Sequence, residues 1–343
     1  MRRGEFFAGS GENCLGHVRG GALGDFVLTL PALKALRVAH PKANIEILGY
    51  PHIAAIAEKR FYADAVRSIE YAALSRFFAR GAELPSELRD YFAGFDLILS
   101  YLYDPDGIFE ENLRRCGAEN ILRGPSKIVS GMSAAEQLAQ PVQELGITVI
   151  DLAPRIFPSA EDREFACSFL ENCEPPILAV HPGSGSEKKN WPIENWIELI
   201  RAVLSGIAAS RSSCLSCSGT SLDKERRPSR PHLFRTVLIV SGEADENARQ
   251  RLRTSFDNES RVRFAYQLPL PQLAALLAQS TFIGHDSGIS HLAAAAGARG
   301  IILFGPTDPN VWAPQNKDVS VLIAPNDDLT QLAVATVHDA ITH

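Results

Sequence analysis

Short apolar runs alternate with amphipathic stretches along the 343-residue chain, a rhythm that belongs to parallel sheets covered by crossover helices. The pattern predicts strands over 15–19, 44–49, 65–70, 95–101 and 119–122, with helices over 26–39, 51–59, 109–116 and 133–145. A stretch at 147–176 carrying Pro154, Pro158, Pro175 and Pro176 breaks the rhythm, which restarts at Ile177-Leu178-Ala179-Val180. Strands are then expected over 236–241, 262–265, 281–284, 300–304 and 319–323, and helices over 194–204, 245–255, 269–279 and 288–297. Two similar α/β units follow, at 1–155 and 156–325, with a C-terminal helix at 326–343. Residues 205–235 interrupt the second unit where a short helix-to-strand link is normal; rich in Ser, Arg and turn formers, they read as a mobile insertion.

Composition narrows the function classes. With 45% hydrophobic and 22% charged residues the chain can build cores and is no disordered tail. A formal charge of -6 supplies no general field for nucleic acid, so an anionic ligand must be held locally. The opening Met1-Arg2-Arg3 is not followed by the unbroken apolar core of a secretory signal, and no stretch approaches the roughly 18 apolar residues of a membrane span. Six scattered cysteines make no disulfide framework, so a reducing cytoplasm is the expected setting, with membrane contact at most peripheral. Cys214, Cys217 and His232 in the insertion form half a zinc site without a second pair, and no metal is expected there. Six Lys or Arg against two acids over 211–235 suit either a solvated loop or a loop grazing anionic lipid.

Three loops carry candidate chemistry. Gly20-Gly21-Ala22-Leu23-Gly24-Asp25 follows the first strand, and its glycines permit a tight strand-to-helix turn. It is not a dinucleotide fingerprint: G-x-G-x-x-G would need glycine where Arg19 stands, although Glu46 lies at a suitable distance downstream. Asp25 reads either as a helix N-cap or as a carboxylate at the carboxyl end of a parallel strand, where open sheets place their ligands. After Val180 comes His181-Pro182-Gly183-Ser184-Gly185-Ser186-Glu187-Lys188-Lys189-Asn190-Trp191-Pro192, either an ordinary polar turn or a phosphate cradle of backbone amides with a lysine, without Walker spacing. In Gly284-His285-Asp286-Ser287-Gly288-Ile289-Ser290-His291 a strand passes into an alanine-rich helix whose first-turn amides and macrodipole suit a diphosphate. Here too Asp286 and Ser287 can be caps and His291 an interior histidine.

In this order, and followed by Phe304-Gly305-Pro306-Thr307-Asp308-Pro309 and Trp312-Ala313-Pro314, the three loops resemble the ADP-heptose:lipopolysaccharide heptosyltransferase family, glycosyltransferase family 9. The motifs that carry the resemblance are GALGD before LPALKALR, K-x-W-P after a glycine loop, and D-S-G-x-x-H-L-A-A-A before F-G-P-T-D-P. The resemblance implies a GT-B fold: two Rossmann-like domains with parallel sheets facing across a cleft, the acceptor mainly on the first and the nucleotide sugar on the second. It also implies inverting, metal-independent transfer to a saccharide or glycolipid acceptor, with no cofactor, at the inner face of the cytoplasmic membrane. Carried over by motif, Asp25 becomes the general base and Gly24 beside it a substrate-binding residue. Lys189 rather than Lys188, with Ser184, Asp286, Ser287, Gly288 and His291, falls in the nucleotide-sugar site. The ribose-holding acid after the strand at 236–241 becomes Glu243, with Asp245 the alternative. The chain departs from the family in the 205–235 insertion, in Asn190 where arginine is frequent, and in extra residues before the first strand. Another nucleotide sugar, or binding without turnover, are the competing readings.

Overall fold

The computed structural model describes residues 13–206 and 234–342; the predicted insertion, with Cys214, Cys217 and His232, lies essentially outside them. In chain order the first half comprises β1 Cys14–Arg19, α1 Leu23–Ala39, β2 Asn44–Gly49, α2 Pro51–Ala54, β3 Ala65–Ser68, α3 Ser86–Ala93, β4 Leu97–Ser100, α4 Ile108–Arg115, β5 Ile121–Arg123 and α5 Ala134–Glu144. The second comprises α6 Ala160–Leu170, β6 Ile177–His181, α7 Ile193–Ser205, β7 Thr236–Ser241, α8 Glu246–Phe256, β8 Val262–Tyr266, α9 Leu270–Leu277 and β9 Thr281–His285. It continues through α10 Gly288–Ala296, β10 Arg299–Phe304, α11 Pro309–Trp312, β11 Val319–Ile323 and α12 Val334–Thr342. No helix among the described residues is long and apolar enough to cross a membrane.

Each half is a parallel sheet. The first runs β3-β2-β1-β4-β5 and the second β11-β10-β9-β6-β7-β8. Both orders reverse direction at one point, between β1 and β4 in the first sheet and between β6 and β9 in the second. Loops leaving neighbouring strands on opposite sides of such a point open a crevice at the carboxyl edge, where doubly wound sheets bind ligands. The GALGD loop leaves β1, the glycine-lysine loop leaves β6 and the Asp286 turn leaves β9, so all three candidate loops stand at a switch point.

The two halves share a core. Helix α1 buries residues on nearly every face, from Phe26 and Val27 through Leu33, because α5 flanks it on one side and α10 of the second half on the other. One apolar cluster accordingly joins Phe26, Val27 and Leu30 to Leu292, Ala293 and Ala295. Helix α6, packed on α9, adds an ion pair across the halves, Arg60 Nη2 to Asp162 Oδ2 at 2.6 Å. The Ile156 amide donates to the Ala295 carbonyl at 2.8 Å and fixes the linker along this seam.

Several predicted boundaries shift. Helix α1 begins at Leu23, three residues before the expected start, because Gly21 at φ 101° turns the chain early and leaves Ala22 as the extended N-cap. Residues 147–176, read as a linker, hold α6, started by Ser159 whose side chain accepts from the Asp162 amide while Asp162 accepts from the Ser159 amide. Helix α2 stops at Ala54, short of the expected 59. Helix α3 and a 3-10 helix at Ala72–Phe78 were not expected, and the C-terminal helix starts only at Val334, after two 3-10 turns.

Candidate active site

The site is assembled where two helix N-termini meet. A Cβ added at Gly24, in the first turn of α1, would lie 3.2 Å from His291 Cδ2 and 3.6 Å from Gly288 Cα. One added at Gly288 would lie 2.9 Å from Leu23 Cβ and 3.0 Å from the Gly24 amide nitrogen. Glycine at 288 is what lets the two first turns approach this closely, while at 24 a side chain would ask the His291 ring to yield slightly, and each turn brings free amide donors and the positive end of its helix.

Asp25 sits in the third helical position of α1, with 37% of its side chain exposed. The N-cap alternative is thereby corrected: Ala22 is the cap, and Asp25 Oδ2 reaches back to accept from the Ala22 amide at 3.2 Å. Its other oxygen, Oδ1, lies 3.6 Å from Nη2 of Arg19, the last residue of β1. Arg19 is 93% buried, since only 7% of its side chain is exposed, and its Nε has no hydrogen-bond partner. Burial pulls its basicity below the ordinary arginine value, while the charges of Asp25 and Tyr101 work against that loss. Its guanidinium also rests 5.4 Å from the Tyr101 ring centre.

Across the seam, Lys189 Nζ donates to Asp286 Oδ2 at 2.8 Å, and the Thr307 hydroxyl donates to the same oxygen at 2.8 Å. One bond to Asp286 occupies one of three ammonium donors, so Lys189 retains donors for an incoming anion. Lys188, one residue earlier, is exposed. The loop's register is set from below. The Trp191 amide donates to His285 Nε2 at 2.8 Å, while His285 Nδ1 lies 3.3 Å from the Gly183 carbonyl, which fixes the neutral tautomer with the proton on Nδ1. Burial pushes the His285 pKa down to about 3, so this lock stays neutral. The Trp191 indole donates to the Leu332 carbonyl at 2.9 Å and anchors the loop again.

Ser287 caps α10, accepting from the Ser290 amide at 3.4 Å. His291, one turn along, is buried; its Nε2 lies 3.9 Å from Asp286 Oδ1 and its Nδ1 has no partner. Burial is the main influence lowering its pKa, opposed by the charges of Asp286 and Asp25.

Two predicted residues stand outside this cluster. The Ser184 hydroxyl is engaged in its own loop, donating to the Ser186 carbonyl at 2.8 Å. Glu243 is exposed and accepts from Gln267 Nε2 at 2.8 Å. The alternative acid, Asp245, is buried: it accepts from the Gly242 amide at 2.8 Å, lies 3.4 Å from His181 Nε2, and occupies the space that any side chain at residue 183 would need. Burial would raise the Asp245 pKa, but the His181 contact and the Gly242 amide outweigh it and hold the carboxyl below its usual range. Of the pair, Glu243 is the one free to meet a ligand.

Beside Asp25 a cavity of about 410 Å³ opens at the first switch point, lined by Arg19, Phe78, Tyr101, Tyr103 and, from the second half, Trp312. That volume falls in the range of small-molecule sites. Arg19, His285, Thr307 and Trp312 were not singled out as site residues from the sequence. Their common signal is position, at or just past the carboxyl end of a strand bordering a switch point or its neighbour. Among the described residues no group of three or more His, Cys, Asp or Glu is placed to hold a metal ion.

Two parallel-sheet domains meeting at the carboxyl edges of their strands, with the Asp25 carboxylate on one and the Lys189 ammonium on the other, define a protein of the GT-B fold class. Residues 232–337 match the family described as "Glycosyltransferase family 9 (heptosyltransferase)". The matched segment contains Glu243, Asp286, Ser287, Gly288 and His291 but not Asp25, Ser184 or Lys189. Among curated proteins the chain is similar to lipopolysaccharide heptosyltransferase 1 of Escherichia coli O18:K1:H7, 29% identical over 156 residues, 45% of this chain and 39% of that protein. The enzyme of the same name from Salmonella typhimurium is 28% identical over 170 residues, 49% of this chain and 44% of that one. The aligned part thus spans about two-fifths of the length of the curated relatives. Among solved structures, a family 9 glycosyl transferase from Veillonella parvula superposes with a TM-score of 0.72 at 16% identity, covering 96% of both chains. E. coli heptosyltransferase WaaC with ADP gives 0.65 at 19% identity, covering 96% and 99%, and E. coli ADP-heptose lps heptosyltransferase II gives 0.69 at 15%, covering 96% and 97%. At these identities the superpositions establish the fold.

Proposed function

We propose that the protein is an inverting glycosyltransferase that moves a heptose or similar sugar from a nucleotide diphosphate donor, ADP-heptose by preference, to a saccharide acceptor such as lipopolysaccharide core. The observation that carries this reading is the convergence of Asp25 with Lys189, Asp286 and His291 at the Gly24–Gly288 contact. Transfer needs a base for the attacking hydroxyl and positive charge for the departing diphosphate, and these reside on opposite domains. Lys189 and the first-turn amides of α10 offer the charge, so the reading requires no divalent metal; Glu243, exposed just after β7, is the candidate for the nucleotide ribose. Asp25 faces the cavity at the first switch point and accepts the proton of the acceptor hydroxyl as that oxygen attacks the anomeric carbon from the side opposite the diphosphate, whose bond to that carbon breaks so that the nucleotide diphosphate leaves with the electron pair. The family match and the named relatives support the sugar and acceptor class, and with such an acceptor the enzyme would work in the cytoplasm at the inner membrane face.

The test is transfer from ADP-heptose to heptose-free lipopolysaccharide by the full chain, run beside Asp25→Asn. The Asn carbonyl oxygen can still accept from the Ala22 amide, so helix α1 and ADP affinity should persist while kcat falls by on the order of 10² to 10⁴. Near-normal turnover by the Asn variant would sink the role of Asp25, and absence of transfer by the parent protein would sink the donor and acceptor assignment.

A further inference from the structure

The cavity beside Asp25 is a first-domain feature with one exception: every residue lining it belongs to that half except Trp312. Trp312 closes α11, a single turn started by Asp308, whose carboxylate accepts from the Asn310 amide at 2.9 Å and whose carbonyl accepts from the Trp312 amide at 3.0 Å. Immediately before this turn, Thr307 is tied to Asp286 of the anion site at 2.8 Å. Just after it, Asn316 Nδ2 donates to the Pro154 carbonyl at 3.0 Å. The turn is therefore pinned at one end to the candidate donor site and at the other to the linker between domains. In between, the half-buried indole packs against a first-domain apolar cluster whose members include Leu28, Leu99 and Tyr101.

We propose that Trp312 is a specificity-determining residue for the acceptor, contributed by the second domain to a pocket otherwise built by the first. This rests on the transferase reading and adds to it the residue that selects the acceptor. The pocket joins a carboxylate and a buried guanidinium at its base to aromatic faces on its walls: Tyr103 is 60% exposed and Phe78 is 46% exposed. A saccharide ring fits that combination, because its C–H face stacks on an aromatic plane while its hydroxyls point to polar groups at the edge. Peptide or lipid chains do not present both surfaces on one rigid ring. Trp312 orients the ring so that one hydroxyl meets Asp25, and Thr307 makes that wall continuous with the group that holds Lys189.

The protein carries its own reporter, since it has three tryptophans and Trp191 and Trp196 are 2% and 0% exposed. Collisional quenching by iodide therefore reads Trp312. De-acylated, heptose-free lipopolysaccharide core should protect wild-type fluorescence from iodide saturably, Trp312→Phe should show no such protection, and both should bind ADP equally. In transfer assays Trp312→Ala should raise the acceptor KM about three- to tenfold, the scale of one aromatic contact, and leave the donor KM unchanged. Trp312→Phe should recover most of that loss. A merely structural tryptophan would instead shift both KM values and the unfolding midpoint together. Core oligosaccharide that binds by calorimetry without protecting Trp312, or that binds Trp312→Ala as tightly as wild type, overturns the proposal. So does an oligosaccharide that wild type does not bind at all. Saturable protection without transfer would leave the pocket assignment standing and remove the transferase reading.

Discussion

Adjacent lysines with the same charge meet different surroundings here, and that difference gives the residue-scale test. Lys189 is held by Asp286, which is 8% exposed, whereas Lys188 points to solvent. A charge-assisted bond formed in a partly desolvated site is worth about 1.5–3 kcal/mol, so Lys189→Ala should weaken ADP roughly 10- to 100-fold and flatten the salt dependence of binding. Lys188→Ala should change ADP affinity by less than about twofold, as expected for a solvated charge. Calorimetric titration with ADP at two ionic strengths compares them, and equal losses would reduce the loop to a generic basic surface. The K-x-W-P register was readable in the sequence; its cause was not. That cause is His285, which takes the Trp191 amide at 2.8 Å from a neighbouring strand and so decides which lysine turns inward.

At the scale of elements, helix starts carry the function, and glycine sets how close they come. Gly288→Ala would place a methyl 2.9 Å from Leu23 Cβ and 3.0 Å from the Gly24 nitrogen, where a rigid backbone cannot yield cheaply. Overpacking of this kind costs roughly 1–3 kcal/mol, and here it would also push α10 away from α1. Gly185→Ala, with no heavy atom within 4 Å of its new methyl, is the control. Urea unfolding should show a lower midpoint for the first variant and an unchanged midpoint for the second; a tolerated Gly288→Ala would mean that the seam is loosely packed. The strands were legible because parallel strands buried on both faces leave plain apolar runs, such as Ile177-Leu178-Ala179-Val180. Helix α6 was not, because prolines flanking it masked the Ser159-to-Asp162 capping pattern that starts it. The early start of α1 was hidden in the positive φ of Gly21, which no apolar periodicity reports.

For the whole molecule, sequence order conceals what sheet order joins. Asp25 and Asp286 are far apart in the chain, yet each follows a strand at a switch point, and α1 packing on α10 brings the two points together. The motif loops could be read individually, whereas the reach of Trp312 from the second half into the cavity beside Arg19 and Asp25 depends on that packing. The same shared burial makes global stability sensitive to acid. His17 on β1, wedged between the rings of Phe26 and Tyr101 with neither ring nitrogen bonded, has its pKa pushed down to about 3, first by burial and then by the Arg19 charge. Burial does the same to His285, also to about 3. In the unfolded chain each titrates near pH 6.5, so between about 6.5 and 3 the unfolded state binds protons that the native state refuses. Stability therefore rises with pH across this window and is lost as pH falls below about 6.5, each histidine contributing a slope of about 1.4 kcal/mol per pH unit. The Arg60–Asp162 pair, whose carboxyl is held below its usual range by the Ser159 amide and Arg60 against the opposing effect of burial, adds its own loss at lower pH. Comparing His17→Phe with the parent cancels that contribution and the one from His285. Urea unfolding at pH 6.5, 5.5 and 4.5 should give the variant a shallower decline, by up to about 1.4 kcal/mol per pH unit. Parallel declines would show that His17 takes up a proton in the native protein.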